Sequence, residues 1–141
     1  MANDGGDFAR SMSIATSGLR AQAGRMRVIS ENIANADSTA STAGGEPYRR
    51  KIPTFSSALD RSLDARTVSL GKVRTDRSDF RVKNEPGNPA ADASGNVKYP
   101  NVNPLIEMTD MREAQRSYEA NLNIISATRR MIQRTLDILK A

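Results

Sequence analysis

The feature that most constrains the fold of this 141-residue chain is a pair of apolar repeats, one near each end. In both, the repeat positions follow one another at alternating steps of three and four residues, the 3.5-residue period of helices that pack along a narrow seam. The first repeat comprises Phe8, Met12, Ala15, Leu19, Gln22, Met26, Ile29, Ile33 and Ala36. The second comprises Met108, Met111, Gln115, Tyr118, Leu122, Ile125, Arg129, Ile132, Leu136 and Leu139. Two long helices are therefore predicted, over residues 8–36 and from residue 104 onward.

The residues that flank the repeats suit helix ends. Asp7 is the predicted N-cap of the first helix, and Asn103 is that of the second, with Pro104 at the first helical position. Asn32 and Asn35 are predicted to end the first helix and to hydrogen-bond the chain into the next segment. A frayed helix end is the alternative role for this pair.

The segment between the repeats is polar and β-rich. Residues 37–46 are rich in Ser, Thr, Ala and Gly, which is typical of a flexible linker. The run Glu85, Pro86, Gly87, Asn88 and Pro89 is typical of a turn. Short pieces with β-branched or aromatic residues at roughly alternate positions predict strands over residues 48–55, 67–74, 80–83 and 97–99.

The predicted fold is mainly α, with the long N- and C-terminal helices pairing as a coiled coil and a small β-rich segment between them. The predicted divisions are an N-terminal helix (1–37), a linker with a small β-rich middle domain (38–103) and a C-terminal helix (104–141).

The apolar stripes favour assembly over a monomeric hairpin. The second helix carries a further stripe beside its seam, formed by Ile124, Thr128, Met131, Thr135 and Ile138. Two adjacent stripes indicate more than one helical partner, so we expect other copies or other proteins to complete the burial. The expected buried subunit-interface residues are Leu19, Met26, Ile29, Ile33, Tyr118, Leu122, Ile125, Ile132 and Leu136.

The chain contains no His and no Cys, which excludes Ser-His-Asp and Cys-His catalysis and zinc-thiolate clusters. Glu107 and Asp110 form a pair of carboxylates three residues apart, but no second motif supplies converging ligands, so both are expected to be helix-surface charges. We therefore expect no catalytic residue, metal or cofactor, and a binding or structural protein.

Basic residues leave one alternative function open. Residues 38–103 contain eleven Lys and Arg and seven Asp and Glu, and so account for +4 of the formal net charge of +5. Arg49, Arg50 and Lys51, next to Tyr48, form the best candidate for a nucleic-acid-binding module. Because the excess charge is spread out and not a block, a solvated or partner-facing surface is the favoured interpretation.

No stretch approaches the ~20 apolar residues of a membrane-spanning helix, and the start resembles no cleavable secretory signal. We expect a protein that stays in the cytoplasm or leaves it by a route without such a signal, and that does not insert into a membrane.

Residues 17–22 and 28–37, followed by Tyr48, Arg49 and Arg50, form one conspicuous block, and residues 107–108 followed by 113–121 form another. These blocks resemble the N-terminal signature and the closing segment of the bacterial flagellar rod and hook protein family. Residues 85–93, with residues 95, 97–98 and 100–102, are similar to the middle of its proximal-rod members. The family-motif positions are Asn32, Asn35, Glu85, Pro86, Gly87, Asn88, Pro89, Pro100 and Asn101.

The resemblance implies a structural subunit of the proximal rod of the basal body, which crosses the periplasm and transmits motor torque. It implies assembly with copies of itself and other rod proteins into a helical tube whose inner layer is formed by the terminal helices. It also implies export through the flagellar type III apparatus. Neither an enzymatic activity nor nucleic-acid binding is implied.

Overall fold

A computed structural model describes residues 4–140. Two long helices flank a small β-rich segment, as the apolar repeats predict. The elements in chain order are α1 (Asp4–Ala34), β1 (Lys51–Ile52), β2 (Phe55–Asp60), β3 (Ala65–Leu70), β4 (Arg74–Thr75), β5 (Arg81–Asn84), β6 (Asn96–Tyr99) and α2 (Pro104–Lys140). No helix within residues 4–140 is long and apolar enough to cross a membrane.

The helix ends follow the predictions at α2 and depart from them at α1. The side-chain oxygen of Asn103 accepts a hydrogen bond from the Leu105 N–H at 3.1 Å, so Asn103 is the N-cap of α2. The prediction of Asp7 as an N-cap is wrong, because Asp7 lies inside α1. Its carboxylate pairs instead with Arg10, 3.6 Å away, and sits near the positive end of the helix dipole.

The β-segment consists of three separate two-stranded antiparallel sheets, β1 with β4, β2 with β3, and β5 with β6. The predicted strands overlap β1, β3, β5 and β6, and they reach the first residue of β2 and of β4. The rest of β2 lies outside them, because its sequence Phe-Ser-Ser-Ala-Leu-Asp contains no β-branched residue. Pro53 has no N–H for a ladder, and it falls between β1 and β2.

The chain forms two compact units, and each helix contributes to both. The first unit contains the chain up to residue 26, residues 54–72, and the chain from residue 113 onward. The second contains residues 27–53 and 73–112.

In the first unit, α1 and α2 approach each other closely through small residues. Ala15, Gly18 and Ala21 of α1 are buried, and a Cβ on Gly18 would lie only 2.8 Å from Oδ1 of Asn121. A few residues further along α1, the guanidinium of Arg25 lies 3.6 Å from the carboxylate of Glu113. The contacts advance along α1 while they recede along α2, so the two segments run antiparallel.

In the second unit, the segment predicted to be a flexible linker is docked on the β5–β6 hairpin. The N–H of Gly44 donates to the carbonyl of Ala90 at 3.0 Å, and Gly44 has a φ of +68°. Ala40 packs against the small apolar cluster of Ala90, Val97 and Tyr99. Small residues thus permit close packing of this segment on the hairpin as readily as they permit flexibility.

The predicted turn at residues 85–89 is confirmed, and it closes the β5–β6 hairpin. Glu85 accepts hydrogen bonds from the Asn88 side chain at 3.1 Å and from the Tyr99 hydroxyl at 2.9 Å. These two bonds, the Asn88 bond first, hold the pKa of Glu85 below its usual value. At the other end of the connection between β5 and β6, Gly95 has a φ of +77°, a conformation that residues with a Cβ rarely adopt.

Replacing Gly95 by alanine is expected to lower the free energy of unfolding by about 1–3 kcal/mol. The strained φ is one cause, and the other is that the new Cβ would lie 3.0 Å from the Cβ of Pro86. Gly87→Ala is the matched control, because a Cβ there meets nothing within 4 Å. Urea titration followed by circular dichroism measures both variants, and equal losses of stability would contradict the prediction.

Candidate functional site

A cluster of polar side chains is buried in the second unit, where the end of α1, residues 48–51 and the start of α2 meet. We call it the Asn32 junction: Asn32, Tyr48, Arg50, the Lys51 backbone and Glu107. Asn32 and Glu107 are 0% and 1% exposed, so their polar atoms depend on protein partners.

The side-chain amide of Asn32 makes four hydrogen bonds, the full capacity of the group. Its Nδ2 donates to the Lys51 carbonyl at 2.8 Å and to Oε2 of Glu107 at 3.0 Å. Its Oδ1 accepts from the Lys51 N–H at 2.9 Å and from the Tyr48 hydroxyl at 2.8 Å. The amide therefore pairs with both polar groups of one residue's backbone, as a neighbouring strand would, and fixes residues 48–51 to α1.

Glu107 brings α2 into the same junction. Nε of Arg50 donates to Oε1 of Glu107 at 2.6 Å, so the buried negative charge faces a positive one, while Oε2 is held by Asn32. The expectation that Glu107 is a helix-surface charge is wrong: its position in the first turn of α2 directs it to residues 48–51. Asp110 is half-buried, 3.9 Å from Arg50.

The Tyr48 hydroxyl is held in its protonated, donating form. Burial is the main cause, and the nearby carboxylates of Glu31 and Glu107 add to it; together they raise the pKa of Tyr48 to about 12. The hydrogen bond to Asn32 is therefore available throughout the physiological pH range.

Two further family-motif residues, Pro100 and Asn101, support the junction from the chain that precedes α2. The Arg50 N–H donates to Oδ1 of Asn101 at 2.8 Å, and Nδ2 of Asn101 donates to Oγ of Ser78 at 2.8 Å. The carbonyl of the buried Pro100 accepts from Nε of Arg81 at 3.1 Å.

Two side chains donate hydrogen bonds to backbone carbonyls at the end of α1. Arg81 donates to the carbonyl of Ala36 at 2.9 Å, just beyond the last residue of α1. Nδ2 of Asn35 donates back to the Glu31 carbonyl at 2.8 Å. Asn35 therefore lies just beyond α1, and its side chain bonds back to the helix. Asn32 lies within α1, contrary to its predicted place at the helix end, and reaches across to residue 51.

The basic residues proposed for nucleic-acid binding are engaged within the chain. The Arg49 guanidinium lies 4.0 Å from the ring centre of Phe80, Arg50 pairs with Glu107, and Lys51 pairs with Glu31. No observation supports the nucleic-acid alternative. Within residues 4–140, no group of three or more Asp, Glu, His or Cys side chains is placed to hold a metal ion.

The nine expected interface residues differ in their exposure. Ile29 and Ile125 are buried within the chain, whereas Leu122 and Leu136 are 46% and 45% exposed. The remaining five are half-buried: Leu19, Met26, Ile33, Tyr118 and Ile132. Of the motif residues in the 85–89 turn, Asn88 and Glu85 form the hydrogen bonds, while Pro86, Gly87 and Pro89 are exposed.

The chain is similar to known proteins along most of its length. A family model described as "Flagella basal body rod protein" matches residues 12–40, and one described as "Flagellar basal body rod FlgEFG protein C-terminal" matches residues 93–138. The flagellar basal-body rod protein FlgC of Agrobacterium fabrum is 56% identical over 128 residues, covering 91% of this chain and 92% of that protein. FlgC of Bacillus subtilis is 40% identical over 145 residues, covering 92% and 97%. FlgC of Aquifex aeolicus is 38% identical over 136 residues, covering 95% and 98%.

Replacing Asn32 by alanine is expected to lower the free energy of unfolding by about 3 kcal/mol or more, because each buried partner left unpaired costs about 1–3 kcal/mol. Asn35→Ala is the matched control, with an expected loss of about 1 kcal/mol for its single described side-chain hydrogen bond. Urea titration of both variants checks the difference, and similar losses would show that the junction is not a principal source of stability.

Proposed function

Because the chain belongs to the FlgC family of flagellar basal-body rod proteins, we propose that it assembles into the proximal rod as a helical tube that transmits motor torque. The family is a structural one and not an enzyme family. The flagellar basal-body rod is the location where the chain acts.

The observation that carries this proposal is the set of large apolar side chains that α2 leaves exposed. Contiguous exposed apolar surface marks sites that other proteins cover. These residues are Leu105, Ile106, Met108, Leu122, Ile124, Met131, Leu136, Ile138 and Leu139.

Two stripes of this set lie in the first unit and point to more than one neighbour. Ile124, Met131 and Ile138 recur every seven residues and are 48%, 48% and 76% exposed. Leu122 and Leu136 form a second stripe on the other flank of the buried face. A single packed helix covers one such stripe, so two neighbouring subunits are needed to bury both. Contacts of different surfaces on successive copies generate an open helical assembly.

Within such a tube, we assign the terminal segments 1–37 and 104–141 to an inner layer of coiled-coil-like helices. The nine interface residues then divide by role. Ile29 and Ile125 fill the subunit's own core, while Leu122 and Leu136, together with the half-buried positions, contact neighbouring subunits. Torque passes from subunit to subunit through these side-chain contacts. Residues 38–103, which hold most of the excess positive charge, form the outer layer that selects neighbouring rod proteins.

We further propose that the chain reaches the rod through the flagellar type III export apparatus, passing through it unfolded. It contains no Cys, so no disulfide can form before assembly is complete.

Replacing Leu122 by aspartate is expected to abolish rod incorporation and swimming while leaving export intact. A charge at this half-exposed position is accommodated in the free subunit but would be desolvated against a neighbour. Asn123→Asp is the matched control, because it places the same charge on the adjacent exposed residue. Basal-body fractionation, a soft-agar swimming assay and circular dichroism of the purified subunits provide the readouts. Normal swimming of the Leu122→Asp strain would contradict the assembly proposal.

A further inference from the structure

Among the strands that the structure describes, β2 pairs only with β3, so its outer edge has no strand partner within residues 4–140. Val68 of β3 is opposite Ser57 of β2, and the Val68 N–H donates to the Ser17 hydroxyl of α1 at 3.2 Å. The Val68 N–H therefore points away from β2. In an antiparallel ladder, the N–H and C=O of a residue lie on one side and alternate between successive residues. The backbone groups of Ser57 therefore point away from β3, and so do those of Phe55 and Leu59.

This edge lacks the features that usually prevent strand pairing. Residues 55–59 are all exposed and contain no charged residue and no proline. Phe55 and Leu59 are 44% and 55% exposed on one face of the hairpin. Natural edge strands are commonly protected by Lys, Pro or a bulge, and an unprotected edge is a template for another strand.

The sequence of β2 matches itself when a second copy is placed antiparallel across this edge. If the pairing is centred on Ser57, Phe55 faces Leu59 of the second copy and Ser56 faces Ala58. The two Ser57 residues then form a hydrogen-bonded pair, because the N–H and C=O of each point outward. Both apolar pairs fall on the same face, which favours this register, and no like charges are opposed. Thr54 and Asp60 meet at the two ends.

We propose that two copies of the free subunit pair through their β2 edges, centred on Ser57, to form a four-stranded antiparallel sheet. The occupant is a second copy because, in the register centred on Ser57, the strand aligns its outward backbone groups and also places Phe55 opposite Leu59 on both sides of the centre. The contact spans only one short strand, so the dimer is weak and concentration-dependent.

This dimer is distinct from the proposed rod contacts. A two-fold contact closes on itself, whereas an open helical assembly uses different surfaces on successive copies. Self-pairing is therefore a state of the free subunit, and the purified chain tests it without reference to rod assembly or motility.

Disulfide trapping tests the register, and the absence of Cys in the chain leaves each introduced Cys as the only thiol. Ser57→Cys is expected to form covalent dimers under mild oxidation about tenfold faster than Ser56→Cys. In the proposed register the two Ser57 Cα atoms lie about 5.5 Å apart, which is within disulfide range. The two Ser56 residues are not opposite each other. Equal rates for the two variants would overturn the proposal.

Sedimentation velocity of the full chain provides a second test. The wild type is expected to shift from monomer toward dimer as its concentration rises, and Ser57→Pro is expected to remain monomeric at concentrations where the wild type dimerises. Proline removes an N–H that points outward, so the β2–β3 ladder is retained. Ser57→Thr keeps the N–H and is expected to dimerise like the wild type. A wild type that stays monomeric, or a Ser57→Pro variant that dimerises equally, would contradict the proposal, and circular dichroism verifies that each variant is folded.

Discussion

The hydrogen bonding of one buried amide group organises the second unit. The Asn32 side chain, 0% exposed, holds the Lys51 backbone on both sides and reaches Tyr48 and Glu107. It thereby joins the end of one helix, the start of the other and the chain between them. Apolar residues are buried in this unit as well, among them Ile29, Val102 and the small cluster of Ala90, Val97 and Tyr99. Hydrogen bonds are directional, so the junction fixes the positions of these three segments more narrowly than apolar contacts alone would.

The first unit is held by helix packing and leaves more apolar surface exposed than the second unit does. Its two helix segments meet through small residues such as Gly18, and much of the apolar surface of α2 stays exposed. Every residue from Gln133 to Lys140 is exposed. Most helical stability in proteins comes from packing of an apolar face, and this stretch has no such packing within the subunit. In the proposed rod, the Asn32 junction therefore holds each subunit together internally, while neighbouring subunits bury the apolar surface that α2 leaves exposed.

The repeat period was enough to predict both helices, because spacing and caps such as Asn103 and Pro104 are local signals. The Asn32 junction could not be predicted in the same way. Asn32, Lys51 and Glu107 are far apart in the chain, and nothing in the local sequence marks Glu107 as buried beside a cation. The docked segment around Ala40 and Gly44 was missed for a related reason, since small polar-rich sequence suits both a mobile linker and a tightly packed loop. Most of strand β2 gave no signal because residues 56–60 contain no β-branched or aromatic residue.

The Asn32 junction is formed within the subunit, and we propose that the exposed end of α2 is buried only on assembly. Hydrogen exchange measured by mass spectrometry on the purified subunit and on isolated basal bodies tests it most directly. We expect slow exchange in both samples for the Lys51 amide and for residues 107–112. For residues 133–140 we expect fast exchange in the free subunit and slow exchange only in the rod. Equal protection along the whole of α2 in the free subunit would contradict the proposed role of assembly.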